Sequence, residues 1–421
     1  MKWLAPIRSL LQNRFVKVAL WTVFGIVVLQ NVVFLCFAHA NTITTALIYL
    51  GLGRGALWIL SRFKSRLNNA ERYQNIRMLI LSSFITLFAA EMTLKYVFRM
   101  HLTYSEANGG SFYSSPYAVV DLENFMSNFG FFEPTGWIRQ KRPSRTEYTN
   151  KPEFNYAHHY NALGFRDKEF VKTKDRNLVR LGVFGDSFAE GVGAPQDSSW
   201  AKAMERTMNS MLQPEDTIRF EVYNFGISGS DVFYEYVKLR DVAANYDLDA
   251  AILGLNSSDI DDLLVRGGME RFLPNNRVSF RSPPASEYVY CWSFIYRAFS
   301  HGVLKRDYYM MTETERAEAE EKAGELITEG ANAFVRLADS LGMVPVVVVH
   351  PLWHEVKNQR SPLKHLEANF KHAGNNSKLI HMGPYLGNVS EVEGLYWELD
   401  QHYNSKGYEW IGKWVGQKMM D

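Results

Sequence analysis

Ser187 lies where a parallel α/β protein would place a nucleophile. It follows Gly185 and Asp186 in the segment GDSF, directly after the apolar run 179–184 and before a stretch that predicts a helix. Catalytic groups in parallel sheets gather at the carboxyl ends of strands, so this serine is placed to attack a carbonyl carbon. Gly and Asp also form ordinary turns, and Ser also caps helices, so the segment alone does not decide between chemistry and a simple turn.

A nucleophilic serine needs a base and a group that orients that base. The segment LDQHYNSKGY supplies His402, with Asp400 two residues before it. In an extended stretch both side chains point to the same side, which lets Asp400 accept a hydrogen bond from the imidazole. Glu398 shares that face and is the alternative partner. Ser187, His402 and Asp400 together predict acyl transfer through a serine ester.

The oxyanion of such a reaction needs hydrogen-bond donors, and two further segments offer them. The apolar run 219–225 ends in YNFGISGSD, whose Gly229 can bring a backbone N–H close to a ligand, beside the N–H of Ser187. The run 249–255 ends in GLNSSDIDD, whose Asn256 can donate a side-chain amide N–H to the same oxygen.

The elements that must position these residues alternate between strand and helix. Apolar runs predict buried strands at 179–184, 219–225, 249–255 and 343–349. Helices are predicted at 199–212, 231–246, about 312–341 and from about 406. Such alternation predicts an α/β domain over residues 178–421, with a parallel sheet covered by helices on both faces. The segment HPLWH has metal-like spacing but no third ligand, so a strand-end loop and no metal site is predicted there.

The first hundred residues predict a membrane region. Residues 18–37 form an uncharged apolar run of bilayer length, and 43–60 and 78–98 are two further predicted transmembrane helices. Basic residues cluster before the first span and between the second and third, which places the amino terminus in the cytoplasm and the catalytic domain outside it, in the periplasm or extracellular space. Arg54 and Glu91 lie within these spans, where they would contact a partner, contact each other, or reach towards a helix end.

Two features qualify this organisation. The AHA segment at 38–40 resembles a signal-peptidase site, and cleavage there would leave two spans without changing the side on which the large domain lies. Residues 101–177 lack strong periodicity and predict an irregular lead-in. Within the lead-in, HHYNALGFRDKEF predicts a turn at 161–164 between apolar anchors.

The composition of the chain bears on its partners, its disulfides and its environment. The 46 basic and 45 acidic residues give a net charge of +1, which gives no support for a nucleic-acid partner. The two cysteines are Cys36, in an apolar run, and Cys291, so we expect no disulfide between them. An aromatic content of 14% suits a membrane-associated chain or a large core.

Four segments resemble, in their order along the chain, the motifs of the GDSL or SGNH hydrolases over roughly residues 178–421. They are GDSF, NFGISGSD, GLNSSD and DQHYN. The resemblance implies a flavodoxin-like three-layer α/β/α fold, Ser187 as nucleophile, His402 as base and Asp400 as its partner. It also implies Gly229 and an Asn side chain as oxyanion donors, and no cofactor. YNALGFRD is similar to the lead-in of membrane-anchored bacterial members.

The third motif departs from the family pattern, in which Asn directly precedes Asp. Here Ser258 precedes Asp259, and Asn256 lies two residues upstream. Asn256 is the better donor and emerges at the end of the predicted strand, whereas Ser258 also predicts a cap for a short helix over 260–264. We therefore expect Asn256 to donate to the oxyanion, with Ser258 as the alternative.

Three functions remain open at this stage. The first is an esterase that acts on O-acyl esters of cell-surface carbohydrate or of lipid. The second is an O-acetyltransferase that moves an acyl group to a surface polysaccharide, with a membrane-bound acyltransferase as partner. The third is a non-catalytic binding or scaffold subunit of a membrane complex, which the intact Ser187, His402 and Asp400 disfavour.

Overall fold

The computed structural model describes residues 42–64, 69–98, 144–273, 277–278, 286–290, 293–307, 309–358, 363, 366, 370, 377–382 and 392–421. The chain divides into two compact units, one of Met1–Met126 with Arg281–Ala317 and one of Ser127–Phe280 with Glu318–Asp421. The predicted span at 18–37 and the AHA segment lie outside the described residues.

The described strands, in chain order, are β1 (Arg145–Asn150), β2 (Asn155–Tyr160), β3 (Leu178–Phe184), β4 (Arg219–Asn224), β5 (Ala250–Leu255), β6 (Phe272–Leu273), β7 (Arg277–Val278), β8 (Val344–Val349) and β9 (Lys378–His381). The described α-helices are α1 (Thr42–Arg62), α2 (Ala70–Tyr96), α3 (Ser187–Glu190), α4 (Trp200–Ser210), α5 (Val232–Asp241), α6 (Ser258–Arg266), α7 (Glu287–Tyr290), α8 (Phe294–Gly302), α9 (Glu313–Ser340), α10 (Trp353–Asn358) and α11 (Ser405–Met420). Short 3₁₀ helices lie at Gln196–Ser198, Ala243–Tyr246, Met269–Arg271 and Val392–Leu395.

In the first unit, helices α1 and α2 cover the second and third predicted spans. Helix α2 begins at Ala70 rather than near residue 78, because the Asn69 side chain caps it by accepting the backbone N–H groups of Glu71 and Arg72. Among the residues that the structure describes, α2 is the one helix that is long and apolar enough to cross a membrane. That measure supports one of the three predicted spans.

Glu91 of α2 is fully buried within this unit. Its carboxylate accepts hydrogen bonds from the hydroxyls of Tyr49, at 2.9 Å, and Ser293, at 2.6 Å. The same carboxylate accepts the backbone N–H of Phe294, the first residue of α8, at 2.5 Å. A carboxylate at a helix amino terminus satisfies N–H groups that would otherwise lack partners. Arg54 is exposed, so Glu91 contacts α8 rather than Arg54.

The second unit is built on a parallel sheet in the order β4-β3-β5-β8-β9. Numbered along the chain within this sheet, the order is 2-1-3-4-5, which is the flavodoxin-like arrangement. The predicted α/β class with a parallel sheet is thereby confirmed. The predicted strands at 179–184, 219–225, 249–255 and 343–349 are present to within a residue or two.

Helices cover both faces of this sheet. On one face, Met204 of α4 and Ile411 of α11 share a buried core with Val183 of β3. On the other face, the ring of Phe334 from α9 meets Phe184 edge to face, with centroids 5.2 Å apart. These layers leave the carboxyl ends of the strands free to carry loops.

The lead-in contains regular structure that the sequence analysis missed. Strands β1 and β2 pair antiparallel, with Arg145 opposite Tyr160 and Asn150 opposite Asn155. Side chains along β2 alternate between exposed and buried. The inward positions are Tyr156, His158 and Tyr160, whose polar atoms conceal the period of two that an aliphatic strand would display.

Candidate active site

The turn after β3 presents Ser187 at the carboxyl edge of the sheet. Gly185 has a φ of 148°, and a Cβ at this position would lie 2.9 Å from the carbonyl oxygen of Gly254. Asp186 caps α3 by accepting the N–H of Phe188 at 2.9 Å. Ser187 is the first residue of that helix, which follows the strand after only two residues.

Ser187, His402 and Asp400 form a continuous hydrogen-bonded chain. The His402 Nε2 atom lies 2.8 Å from the Ser187 Oγ atom, and the His402 Nδ1 atom lies 2.6 Å from an Asp400 carboxylate oxygen. Burial would raise the pKa of Asp400, but hydrogen bonds from His402 and from Lys151 hold it below its ordinary value. An ionised Asp400 fixes the imidazole tautomer in which Nε2 faces the serine hydroxyl as an acceptor.

The loop that carries His402 is not the extended stretch expected from the sequence. Residues 398–400 form a turn, and Gln401 has a φ of 66°. The backbone N–H of Trp397 donates to the carbonyl of His402 at 2.8 Å, which closes the turn. Asp400 and His402 therefore meet through a tight turn rather than through alternation along a strand. Glu398, the alternative partner, is exposed.

The loop after β4 is fastened to the nucleophile turn. The N–H of Ile227 donates to the Gly185 carbonyl at 3.0 Å, and the Ser230 hydroxyl lies 3.1 Å from the same carbonyl. Gly226 packs so closely on α3 that a Cβ there would lie 2.3 Å from the N atom of Glu190. Gly229 has a φ of 74°, a left-handed conformation that favours glycine. The loop expected to supply a backbone donor is thus held against the helix that begins at Ser187.

Glu190 is a residue of this site that the sequence analysis missed. Its side chain is buried, and its carboxylate accepts the Tyr160 hydroxyl at 2.8 Å and the Ser228 backbone N–H at 2.6 Å. The Ser228 hydroxyl also donates to it. Glu190 therefore ties the loop that contains Gly229 to α3. One signal could have indicated this role. Glu190 lies three residues after Ser187, in a segment that the GDSF motif places against the sheet, and a charged residue in such a place needs a partner.

The loop after β5 brings Asn256 and Ser258 to Asp186. The Asn256 amide nitrogen donates to an Asp186 carboxylate oxygen at 2.9 Å, and the Ser258 hydroxyl lies 3.0 Å from the same oxygen. Asn256 is fully buried, and its side-chain oxygen accepts the N–H of Ser258 at 2.8 Å. The Asp259 carboxylate accepts the N–H of Asn256 at 3.0 Å, which closes this turn.

The expectation that Ser258 caps a short helix is wrong. Helix α6 begins at Ser258 itself, and Ser257, in the cap position, makes no side-chain capping bond. The Ser258 hydroxyl instead lies 2.7 Å from the Asn256 side-chain oxygen and 3.0 Å from an Asp186 carboxylate oxygen, so it contacts side-chain acceptors rather than capping the helix. Both candidates of the third motif thus contact the residue before the nucleophile.

His350 follows β8 and lies beside Asn256 and Phe188. It is buried, its Nε2 atom lies 3.5 Å from the Asn256 amide nitrogen, and its ring centroid lies 5.0 Å from that of Phe188. Burial lowers the pKa of His350 to about 4, so the imidazole is neutral at pH 7. His354 is exposed, and no group of three metal-ligating side chains occurs among the described residues.

The YNALGFRD segment supports the site rather than only turning the chain. Asn161 organises the turn by accepting the N–H groups of Leu163 and Phe165, each at 3.0 Å. The buried Arg166 guanidinium donates to the Gly191 carbonyl at 2.6 Å, just beyond α3. The Asp167 carboxylate accepts the N–H of Asn224, at the end of β4, at 2.8 Å.

Comparison with known proteins gives matches to solved structures. A protein from Desulfitobacterium hafniense assigned to the G-D-S-L lipolytic family is 16% identical, covering 57% of this chain and 98% of its own, with a TM-score of 0.35. A lipase from a goat rumen metagenome is 11% identical, covering 57% and 96%, with a TM-score of 0.37. A two-domain esterase active on acetylated mannans is 12% identical, covering 57% and 49%, with a TM-score of 0.34.

This chain is similar to the GDSL hydrolases. No protein-family model matches the chain, and no curated protein matches it by sequence. Identities of 11–16% and TM-scores below 0.4 do not assign an activity, which has to follow from the residues of the site.

Proposed function

We propose that this protein is a membrane-anchored serine esterase that cleaves O-acyl esters through an acyl-enzyme on Ser187. The observation that carries the proposal is the hydrogen-bonded chain from the Ser187 hydroxyl through His402 to Asp400, with contacts of 2.8 and 2.6 Å. These distances permit proton transfer within the group without rearrangement. A serine that only formed a turn would need neither His402 nor Asp400 beside it.

In the proposed reaction, the Ser187 oxygen attacks the ester carbonyl carbon while His402 Nε2 takes the hydroxyl proton. Asp400 stabilises the imidazolium that forms. The tetrahedral oxyanion accepts hydrogen bonds from the N–H groups of Ser187 and Gly229 and from the Asn256 amide N–H that does not donate to Asp186. His402 then protonates the departing alcohol, and a water molecule activated by the same imidazole releases the acid and regenerates the serine.

The first unit supports anchoring in a bilayer. Along α1 and α2 many large apolar side chains face outwards, including Leu50, which is 69% exposed, and Ile85, which is also 69% exposed. Side chains of this kind favour lipid over water. With the amino terminus in the cytoplasm, the second unit would lie outside the cell membrane, where acylated carbohydrate and lipid are the available esters.

Transfer to a sugar hydroxyl shares every step up to the acyl-enzyme and differs only in the group that replaces water. The test therefore uses the full-length protein in detergent, with 4-nitrophenyl acetate as donor, with and without an oligosaccharide acceptor. Hydrolysis that requires Ser187 and is indifferent to acceptor supports an esterase. Acetylated oligosaccharide formed in proportion to 4-nitrophenol would identify a transferase. Equal release by the parent and Ser187→Ala would reject both and leave a non-catalytic role.

A further inference from the structure

The turn between β1 and β2 reaches the loop that carries Asp400 and His402. The two carboxylate oxygens of Glu153 accept the backbone N–H groups of Leu399, at 2.9 Å, and Asp400, at 2.7 Å. The Lys151 ammonium donates to the second oxygen of Asp400 at 3.2 Å. These contacts join residues about 250 positions apart, and Lys151 and Glu153 lie outside the region of the GDSL resemblance.

The hydrogen bonds divide the two oxygens of Asp400 between different partners. One oxygen faces His402 Nδ1 at 2.6 Å, and the other faces Lys151 Nζ at 3.2 Å. A carboxylate with a cationic or N–H partner on each oxygen has little freedom to rotate. The plane of the Asp400 carboxylate, and with it the direction in which it holds the imidazole, is therefore set from both sides.

Aromatic packing fixes the same hairpin against the same loop. The Phe154 ring lies 5.4 Å from that of Trp397 and 5.6 Å from that of Tyr156. The Trp397 indole N–H donates to the Gly193 carbonyl at 2.7 Å, and the Tyr156 hydroxyl accepts the Gly193 N–H at 3.0 Å. The hairpin thus contacts both the segment that follows the nucleophile helix and the loop that carries the base.

We propose that Lys151 and Glu153 are positioning residues of the active site, which hold Asp400 and thereby His402 in line with Ser187. Glu153 fixes the backbone of the loop through two consecutive N–H groups. Lys151 fixes the carboxylate itself. The lead-in hairpin is then part of the catalytic apparatus rather than a connection to it. This inference rests on the proposed function, because it assigns a purpose to the geometry of the same three residues.

The test compares Lys151→Met and Glu153→Ala with the parent, as full-length proteins in detergent, on 4-nitrophenyl acetate. Displacement of the base by a fraction of an ångström to about 1 Å is expected to lower kcat by about ten- to a hundredfold. KM is expected to stay within about twofold, because neither side chain is placed to bind the ester. Lys151→Arg restores a donor at the same place and is expected to recover most of kcat.

Matched controls are Lys172→Met and Glu215→Ala, which remove the same groups from exposed positions. Thermal unfolding separates positioning from loss of fold, and should show the Lys151 and Glu153 variants melting within a few degrees of the controls. If Glu153→Ala does not fold, Glu153→Gln, which keeps one acceptor oxygen, replaces it and is expected to lower kcat by a smaller factor.

Three results would overturn the positioning role. One is a parent-like kcat in Lys151→Met and in the folded Glu153 variant. Another is a kcat loss matched by an equal loss of folded protein. The third is failure of Lys151→Arg to recover activity. Ser187→Ala, measured alongside, keeps the proposals distinct: if it alone is inactive, the esterase stands without the positioning role, whereas activity that survives in it removes both.

Discussion

Replacing Gly226 by Ala should push the loop that carries Gly229 away from helix α3 without changing Ser187, His402 or Asp400. A Cβ at this position would lie 2.3 Å from the backbone N of Glu190 and 2.5 Å from the carbonyl carbon of Ala189. Both atoms belong to the backbone of α3, so no side-chain rotation relieves the contact. An ordinary carbon contact needs about 3.5 Å, so loop and helix must part by about 1 Å.

That displacement sets the expected magnitude. A misplacement of about 1 Å at a reacting centre costs about a hundredfold in rate, and in the proposed reaction the N–H groups of Gly229 and Ser187 donate to the same oxygen. Overpacking of this kind also costs about 1–3 kcal/mol in the free energy of unfolding. Gly226→Ala should therefore fold with a lowered melting temperature and acylate far more slowly than the parent.

The assay is the second-order rate of labelling by a fluorophosphonate probe, measured on full-length protein in detergent beside a thermal unfolding curve. Gly394→Ala is the matched control, because a Cβ at Gly394 meets no atom within 4 Å. The control should label and melt like the parent. A Gly226→Ala protein with parental labelling rate and melting temperature would refute the close approach of this loop to α3 and the role assigned to it.

Three further predictions follow from the same structure. Asn256→Ala should slow fluorophosphonate labelling about a hundredfold, the usual cost of one oxyanion donor. Ser258→Ala, which removes the hydroxyl that contacts Asp186 and Asn256, should slow it less, and the reverse order would exchange their roles. The pKa of Asp400 is lower in the folded protein than its ordinary value, so its ionisation stabilises the fold above about pH 4 and this stabilisation fades as the pH falls below that value. The melting-temperature difference between the parent and Asp400→Asn should therefore be larger at pH 6 than at pH 3.5, and an equal difference would contradict this linkage. Glu91→Ala removes the acceptor at the amino end of α8 and should speed tryptic cleavage at the exposed Lys305, whereas unchanged cleavage would show that the carboxylate does not hold this helix.

The strands that carry the site could be predicted because each ends in a run of buried residues. β5 and β8 are buried along nearly their whole length, and such runs are recognisable without tertiary information. β9 could not be predicted, because it is only four residues long and has Lys378 and His381 at its ends. The hairpin of β1 and β2 was missed because its buried face carries Tyr and His rather than aliphatic residues.

Within the site, the reacting residues could be predicted from the sequence, but several of the contacts that hold them could not. Ser187, His402 and Asp400, which the motifs singled out, are in hydrogen-bond contact, although a tight turn rather than an extended stretch brings Asp400 to His402. The contact of the Ser258 hydroxyl with Asp186 and that of the Glu153 carboxylate with the Asp400 backbone N–H join residues that only the fold brings together. A local rule therefore assigned Ser258 to a helix cap, and no local rule pointed to Glu153.

The most direct test of the account is to map the covalent adduct of a fluorophosphonate by mass spectrometry of the full-length protein. One phosphonyl group is expected, on the peptide that contains Ser187. His402→Ala should suppress the adduct strongly, because the serine then lacks its base. An adduct on another serine, or undiminished modification of Ser187→Ala, would contradict the assignment of Ser187 as the nucleophile.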